Sequence, residues 1–162
     1  IIPANIKEEK IMFQHATIAL AAAAAIVVGI GSGCATPAPT VRNYMTPEPT
    51  RNNQLGNADL KLVLDPTLGD KDVQCSMLAV EVPVNETLAF RRLTSDEMIM
   101  VQAGTGILTV DAKQIPVNPG TVVYIPGGSV QSLYNNGNVP LTYLSVIIPA
   151  YEAGECEFIE GN

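Results

Sequence analysis

From residue 57 to residue 148 the chain advances in short apolar bursts, each stopped by glycine, proline or asparagine. The bursts are "LKLVL" (60–64), "VQCSMLAVEV" (73–82), "LAFRR" (88–92), "EMIMVQ" (97–102), "GILTV" (106–110), "TVVYI" (121–125), "VQSLY" (130–134) and "LTYLSVII" (141–148). Their Val, Ile, Leu, Thr and Tyr suit a pleated, half-buried surface. Turn formers separate them: Asn118, Pro119 and Gly120; then Pro126, Gly127 and Gly128; then Asn135, Asn136, Gly137 and Asn138. No segment sustains a helical period. Strands at roughly ten-residue spacing with no helix between them predict an all-β sandwich or barrel.

The 162 residues leave room for one domain of ordinary size and its appendages. An uncharged run over residues 16–33 inflates the 47% apolar content. With its neighbours it reads as an export leader, an apolar stretch followed by small residues and a Pro/Thr-rich segment. Residues 1–33 are therefore predicted as a leader, either signal peptide or anchor. Met12 is expected to be the true start, since "KEEK" ahead of it is what a purine-rich ribosome-binding sequence encodes when translated. Gly31, Ser32, Gly33 and Cys34 resemble the lipobox of bacterial lipoproteins, which implies lipidation of Cys34. Simple cleavage after Ala35 and an uncleaved membrane anchor of about 18 apolar residues are the competing readings. All three place the domain outside the cytoplasm, lipid-anchored to a membrane or secreted.

Residues 34–56 hold prolines but little apolar periodicity, and predict a disordered linker. Residues 57–150 form the predicted barrel, and residues 151–162, with Glu152, Glu155, Glu157 and Glu160, an acidic, solvated tail. Cys75 and Cys156 are candidates for one disulfide in an oxidising compartment, with two unpaired thiols the equal alternative. A net charge of −7, with Arg91 and Arg92 the one adjacent basic pair, argues against a nucleic-acid partner. The single histidine, His15, lies in the leader, so the barrel lacks both the commonest neutral-pH acid/base and the commonest transition-metal ligand.

Two spacings then bring a resemblance. Glu97, six residues and Gly104 make one. Gly120, five residues, Pro126, Gly128, two residues, Gln131 and then Asn135 make the other, fifteen residues further on. Residues 80–148 resemble a cupin domain, the small jelly-roll β-barrel, and the resemblance implies a single such barrel behind the leader and linker. Metal-binding cupins place two histidines before the glutamate and one where Gln131 stands. With four intervening residues the first two positions are Phe90 and Arg92; with three they are Arg91 and Leu93. Of four implied ligands only Glu97 is present, and the glycine expected near Val84 is absent.

Strand alternation puts Phe90 and Arg92 on one face, which the family pattern makes the interior. Phe90, Arg92, Glu97, Tyr124 and Gln131 are thus the candidate ligand-binding residues, with Arg92 and Glu97 paired and Arg92 suited to a carboxylate or phosphate. No metal and no other cofactor are expected, because one carboxylate beside a guanidinium is a poor donor set. The ion pair could equally be structural. The chain is read as a binding or structural module for a small polar or anionic ligand rather than an enzyme. The alternative is a cupin isomerase, lyase or dioxygenase using Glu97 as acid/base or an atypical metal site. Met98 and Met100, alternating with Glu97, suggest an outer face through which a homodimer could form.

Overall fold

The computed structural model describes residues 38–51, 54–70 and 72–160. The expected leader, with Met12, His15, Cys34 and the expected alternative cleavage after Ala35, lies outside the described residues.

Among these residues ten strands follow one another: β1 (Asp59–Leu64), β2 (Ser76–Val82), β3 (Thr87–Leu93), β4 (Asp96–Ala103), β5 (Gly106–Val110), β6 (Lys113–Val117), β7 (Val122–Ile125), β8 (Val130–Tyr134), β9 (Leu141–Ile148) and β10 (Cys156–Phe158). One 3-10 turn, Pro66–Leu68, joins β1 to β2. The strands form two five-stranded antiparallel sheets. Sheet I has the order β1, β2, β9, β4, β7, and sheet II the order β10, β3, β8, β5, β6. The two facing surfaces make the jelly roll that the family resemblance implies, and its core lies between them, including Val82, Ile99, Leu108, Ile125, Leu133 and Leu141.

Alternation decides which side chains enter that core. Along β9, Leu141, Tyr143, Ser145 and Ile147 are buried, and the residues between them face out. On β4, Glu97, Ile99 and Val101 turn inward while Met98 and Met100 turn outward. The turns are held by close packing as well as by turn chemistry. At Gly104, between β4 and β5, φ is +80° and a Cβ would stand 2.6 Å from the Pro140 carbonyl oxygen, so only glycine fits. At Gly127, between β7 and β8, a Cβ would meet the Thr94 carbonyl oxygen at 2.2 Å.

Two edge strands go beyond the sequence reading. β6 contains Pro116, which cannot donate to a ladder; as the edge of sheet II it tolerates that loss. β10 lies in the segment expected to be a free acidic tail, and it pairs with β3, Cys156 opposite Leu93 and Glu157 opposite Arg92. The expected linker also acquires contacts in its described part. Arg42 Nη2 reaches Asp70 Oδ1 at 2.6 Å, Thr50 forms an antiparallel bridge with Leu60, and Arg51 Nε meets Asp59 Oδ1 at 2.5 Å. Edge strand β1 offers free backbone groups and carboxylates, so a proline-rich segment docks there without regular structure of its own. The disulfide suggested between Cys75 and Cys156 is not formed: both are free thiols, Cys75 ahead of β2 in sheet I and Cys156 on β10 in sheet II.

Candidate functional site

An irregularity in β3 sets the site. Leu88 lies opposite Leu133 and Arg91 opposite Gln131, so three steps on β3 match two on β8, and one extra residue bulges. The loosened backbone is paired elsewhere. Ser132 Oγ donates to the Leu88 carbonyl at 2.7 Å, Ala89 N–H to the Leu55 carbonyl at 3.2 Å, and Ile159 N–H to the Phe90 carbonyl at 2.8 Å. Beyond the bulge the alternation changes parity: Leu88 faces in, and then Arg91 and Leu93 do.

The expectation that Phe90 and Arg92 face the interior is therefore corrected. Phe90 is 39% exposed, and Arg92 lies outside, its Nη1 3.0 Å from Glu157 Oε2 on β10. The inward pair is the alternative one, Arg91 and Leu93. Tyr124 is corrected as well. It alternates with buried Ile125, is 58% exposed, and donates its hydroxyl to Asp96 Oδ2 at 2.6 Å on the outer face.

Glu97 and Gln131 are where the motif spacing puts them, each 2% exposed. Both Glu97 oxygens are engaged. Oε1 accepts from Ser145 Oγ at 2.6 Å, and Oε2 from Gln131 Nε2 at 2.7 Å. Arg91 Nη2 spans the two, at 3.4 Å from Oε1 and 3.2 Å from Oε2. Ser145 and Tyr143, buried on β9, complete the polar cluster. Neither was singled out from the sequence as a site residue; the available signal was a serine at an inward position of an otherwise apolar strand.

The cluster's electrostatics follow from its burial. Burial works against the Arg91 charge, but Glu97, with Tyr143 and Cys156, more than offsets it and leaves the guanidinium's pKa raised. Burial, reinforced by Glu97 and opposed by Arg91, pushes the Tyr143 hydroxyl well above its usual value, so it stays protonated. Burial also raises the Cys156 thiol, against the pull of Arg91. Arg91 is 8% exposed, yet its Nη1 is fully buried and has no hydrogen-bond partner among the described residues. Native interiors rarely leave such a donor unpaired.

The C-terminal segment runs across this end of the barrel. Ala150 N–H donates to the Gln74 carbonyl at 3.1 Å and Tyr151 N–H to Ser76 Oγ at 2.8 Å, tying it to sheet I. Thr94 N–H donates to the Glu155 carbonyl at 3.2 Å, and the β10 ladder ties it to sheet II. In antiparallel register Cys156 and Phe158 share the face of Leu93 and Arg91, the inner one.

The donor set does not fit the transition metal found in metal-binding cupins. Glu97 is the one carboxylate in the cluster, its oxygens already accept from Ser145 and Gln131, and a guanidinium nitrogen lies 3.2 Å from Oε2. A divalent cation there would be held by one spent carboxylate and repelled by Arg91.

Known proteins agree with the architecture. A family model described as "Cupin domain" matches residues 79–147. An uncharacterized protein of Methanocaldococcus jannaschii, MJ1618, is 34% identical over 91 residues, spanning 56% of this chain and 73% of that one. Among solved structures, a predicted oxalate decarboxylase of Thermotoga maritima superposes with a TM-score of 0.60 at 19% identity, over 68% of this chain and 99% of its own. The polyketide cyclase RemF of Streptomyces resistomycificus does so with a TM-score of 0.64 at 15% identity, over 78% and 88%. At these identities the two structures speak for the fold alone.

Proposed function

The chain belongs to the cupin superfamily, and from that premise we propose that it is an exported binding module that holds a small polar molecule inside the barrel without a standard metal site. The observation that carries this reading is the set of hydrogen bonds on Glu97 from Gln131, Ser145 and Arg91. A carboxylate with both oxygens engaged is poorly placed to take up a proton from substrate or to bind a cation. Arg91 Nη1, left over from that cluster, supplies a fixed polar contact of the kind a ligand pocket needs among apolar walls. The uncharged run at residues 16–33 and the lipobox-like residues ending in Cys34 support export and lipid anchoring.

Metal analysis combined with ligand-dependent thermal shift tests the reading. The expected result is protein with substoichiometric metal whose midpoint rises with a small polar ligand. Stoichiometric Fe, Mn, Ni or Zn that disappears in Glu97→Ala would instead establish the enzyme reading. Anchoring is tested by metabolic labelling with a fatty acid, which should mark the wild type and not Cys34→Ser.

The reading includes a homodimer. On the outer face of sheet I, Met98 lies opposite Tyr124 and Met100 opposite Val122, all four exposed. This strip borders β7, the last strand of its sheet, whose outer edge has no partner strand among the described residues. A second copy meeting that edge covers the strip and continues the ladder at once. Sedimentation should give a dimer, and Val122→Lys a monomer.

A further inference from the structure

We propose that the end of the barrel beneath the C-terminal segment is a subsite for a small carboxylate, gripped by the unpaired side of Arg91. This rests on the reading of the barrel as a binding module and names the chemistry of its ligand. An arginine and a carboxylate usually meet fork to fork, through two nitrogens and two oxygens. Here Gln131 and Ser145 take their places on Glu97 first, at 2.7 and 2.6 Å, and Arg91 reaches both oxygens with Nη2 alone. Nη1 is left buried, with no partner among the described residues. Glu97 accepts all it can from this cluster, so what remains unspent is a donor, and the missing group must bring acceptors.

The surroundings restrict those acceptors further. The Tyr143 hydroxyl beside the guanidinium stays protonated, as does the Cys156 thiol at neutral pH. No carboxylate besides Glu97 figures among the charges that act on Arg91. Arg91 and Glu97 together carry no net charge, so an entering carboxylate adds one buried negative charge, met by Nη1, whereas a phosphate dianion adds two, which is costlier. The planar guanidinium suits two coplanar oxygens. Phe158 and Leu93, on the same inner face, supply an apolar flank for the rest of the molecule.

The test uses the full chain and matched pairs of probes: acetate with acetamide, benzoate with benzamide, and inorganic phosphate. The expected result is a rise in thermal midpoint and measurable calorimetric binding for a carboxylate, with its amide at least tenfold weaker. Arg91→Lys keeps the charge and loses the fork, and should weaken carboxylate binding at least tenfold. Should Arg91→Lys fail to fold, Tyr143→Phe, which removes one hydroxyl, gives the second reading, with weaker carboxylate binding expected. A separate measurement follows alkylation of Cys156 by neutral iodoacetamide in Cys34→Ser, Cys75→Ser protein, which a bound carboxylate should slow at least threefold. Equal binding of acid and amide, preference for phosphate, or carboxylate binding and thiol protection indifferent to Arg91→Lys and Tyr143→Phe each overturn the proposal. Binding of neutral polar molecules alone overturns it while leaving the binding module standing. A Glu97-dependent metal with no ligand response removes both.

Discussion

Asn135 closes two loops with one side chain. It is completely buried, its Nδ2 donates to the carbonyls of Val82, Pro83 and Val139 at 2.9, 3.2 and 3.0 Å, and its Oδ1 accepts from Gly137 N–H at 2.9 Å. Asn135→Ala strands these groups and should cost roughly 3 kcal/mol, read as a lower urea midpoint. A cost under about 1 kcal/mol would show that solvent replaces the amide. At the site, Arg91→Met leaves Glu97 charged and buried without its counter-ion, and should destabilise by about 3–5 kcal/mol. Adding Glu97→Gln should recover part of that loss, and a strictly additive double mutant would mean that the pair is not coupled. Motif spacing was enough to place Glu97 and Gln131 in the interior. With strand alternation it selected Arg92 where the fold turns Arg91 inward, because the two are adjacent and one bulged residue exchanges their faces. Tyr143 and Cys156 belong to no motif, and only folding brings them beside Arg91.

The eight apolar bursts all became strands, because alternation and turn chemistry are local and were already visible. The two strands that escaped notice are edges. β6 carries a proline, and β10 has three residues within an acidic run, so neither shows a pattern of its own. Each is recruited by the ladder of a neighbour, β5 for one and β3 for the other. The bulge in β3 is of the same kind, since it exists only relative to the register of β8. The hairpin between β5 and β6 holds a testable strain. Asp111 and Ala112 have φ of +46° and +68°, a pair of left-handed residues in which alanine is disfavoured. Asp111 is tied in place by Val130 N–H, which donates to its Oδ1 at 2.9 Å, but Ala112 has no comparable support. Ala112→Gly should stabilise the protein by about 1 kcal/mol in chemical denaturation. No change or a loss would place the strain elsewhere in the turn.

Over the whole molecule, stability should be level across neutral pH and fall at both extremes. Asp96 is lowered from 3.8 by the Tyr124 hydroxyl and then Gly127 N–H, and Asp111 by Val130 N–H and then Ser129. The fold favours their charged forms, so this contribution is present above 3.8 and is lost as pH falls through the lowered values. Cys156, raised from 9.0 by burial, runs the other way: its contribution is present below 9.0 and is lost as pH rises through the raised value. With no histidine in the described residues, the urea midpoint should stay flat from about pH 5 to pH 8. A transition inside that window would contradict this assignment of groups. The sequence by itself determined the all-β class and the turns, because period-2 burial and backbone sterics act over a few neighbouring residues, and the family resemblance of its motifs added the jelly roll and two of the interior polar residues. Which arginine faces inward, how the tail lies over the barrel's end, and which donor is left unpaired were decided only by the tertiary structure. Those outcomes depend on register between strands distant in the chain, and a one-residue difference in register reverses every face beyond it.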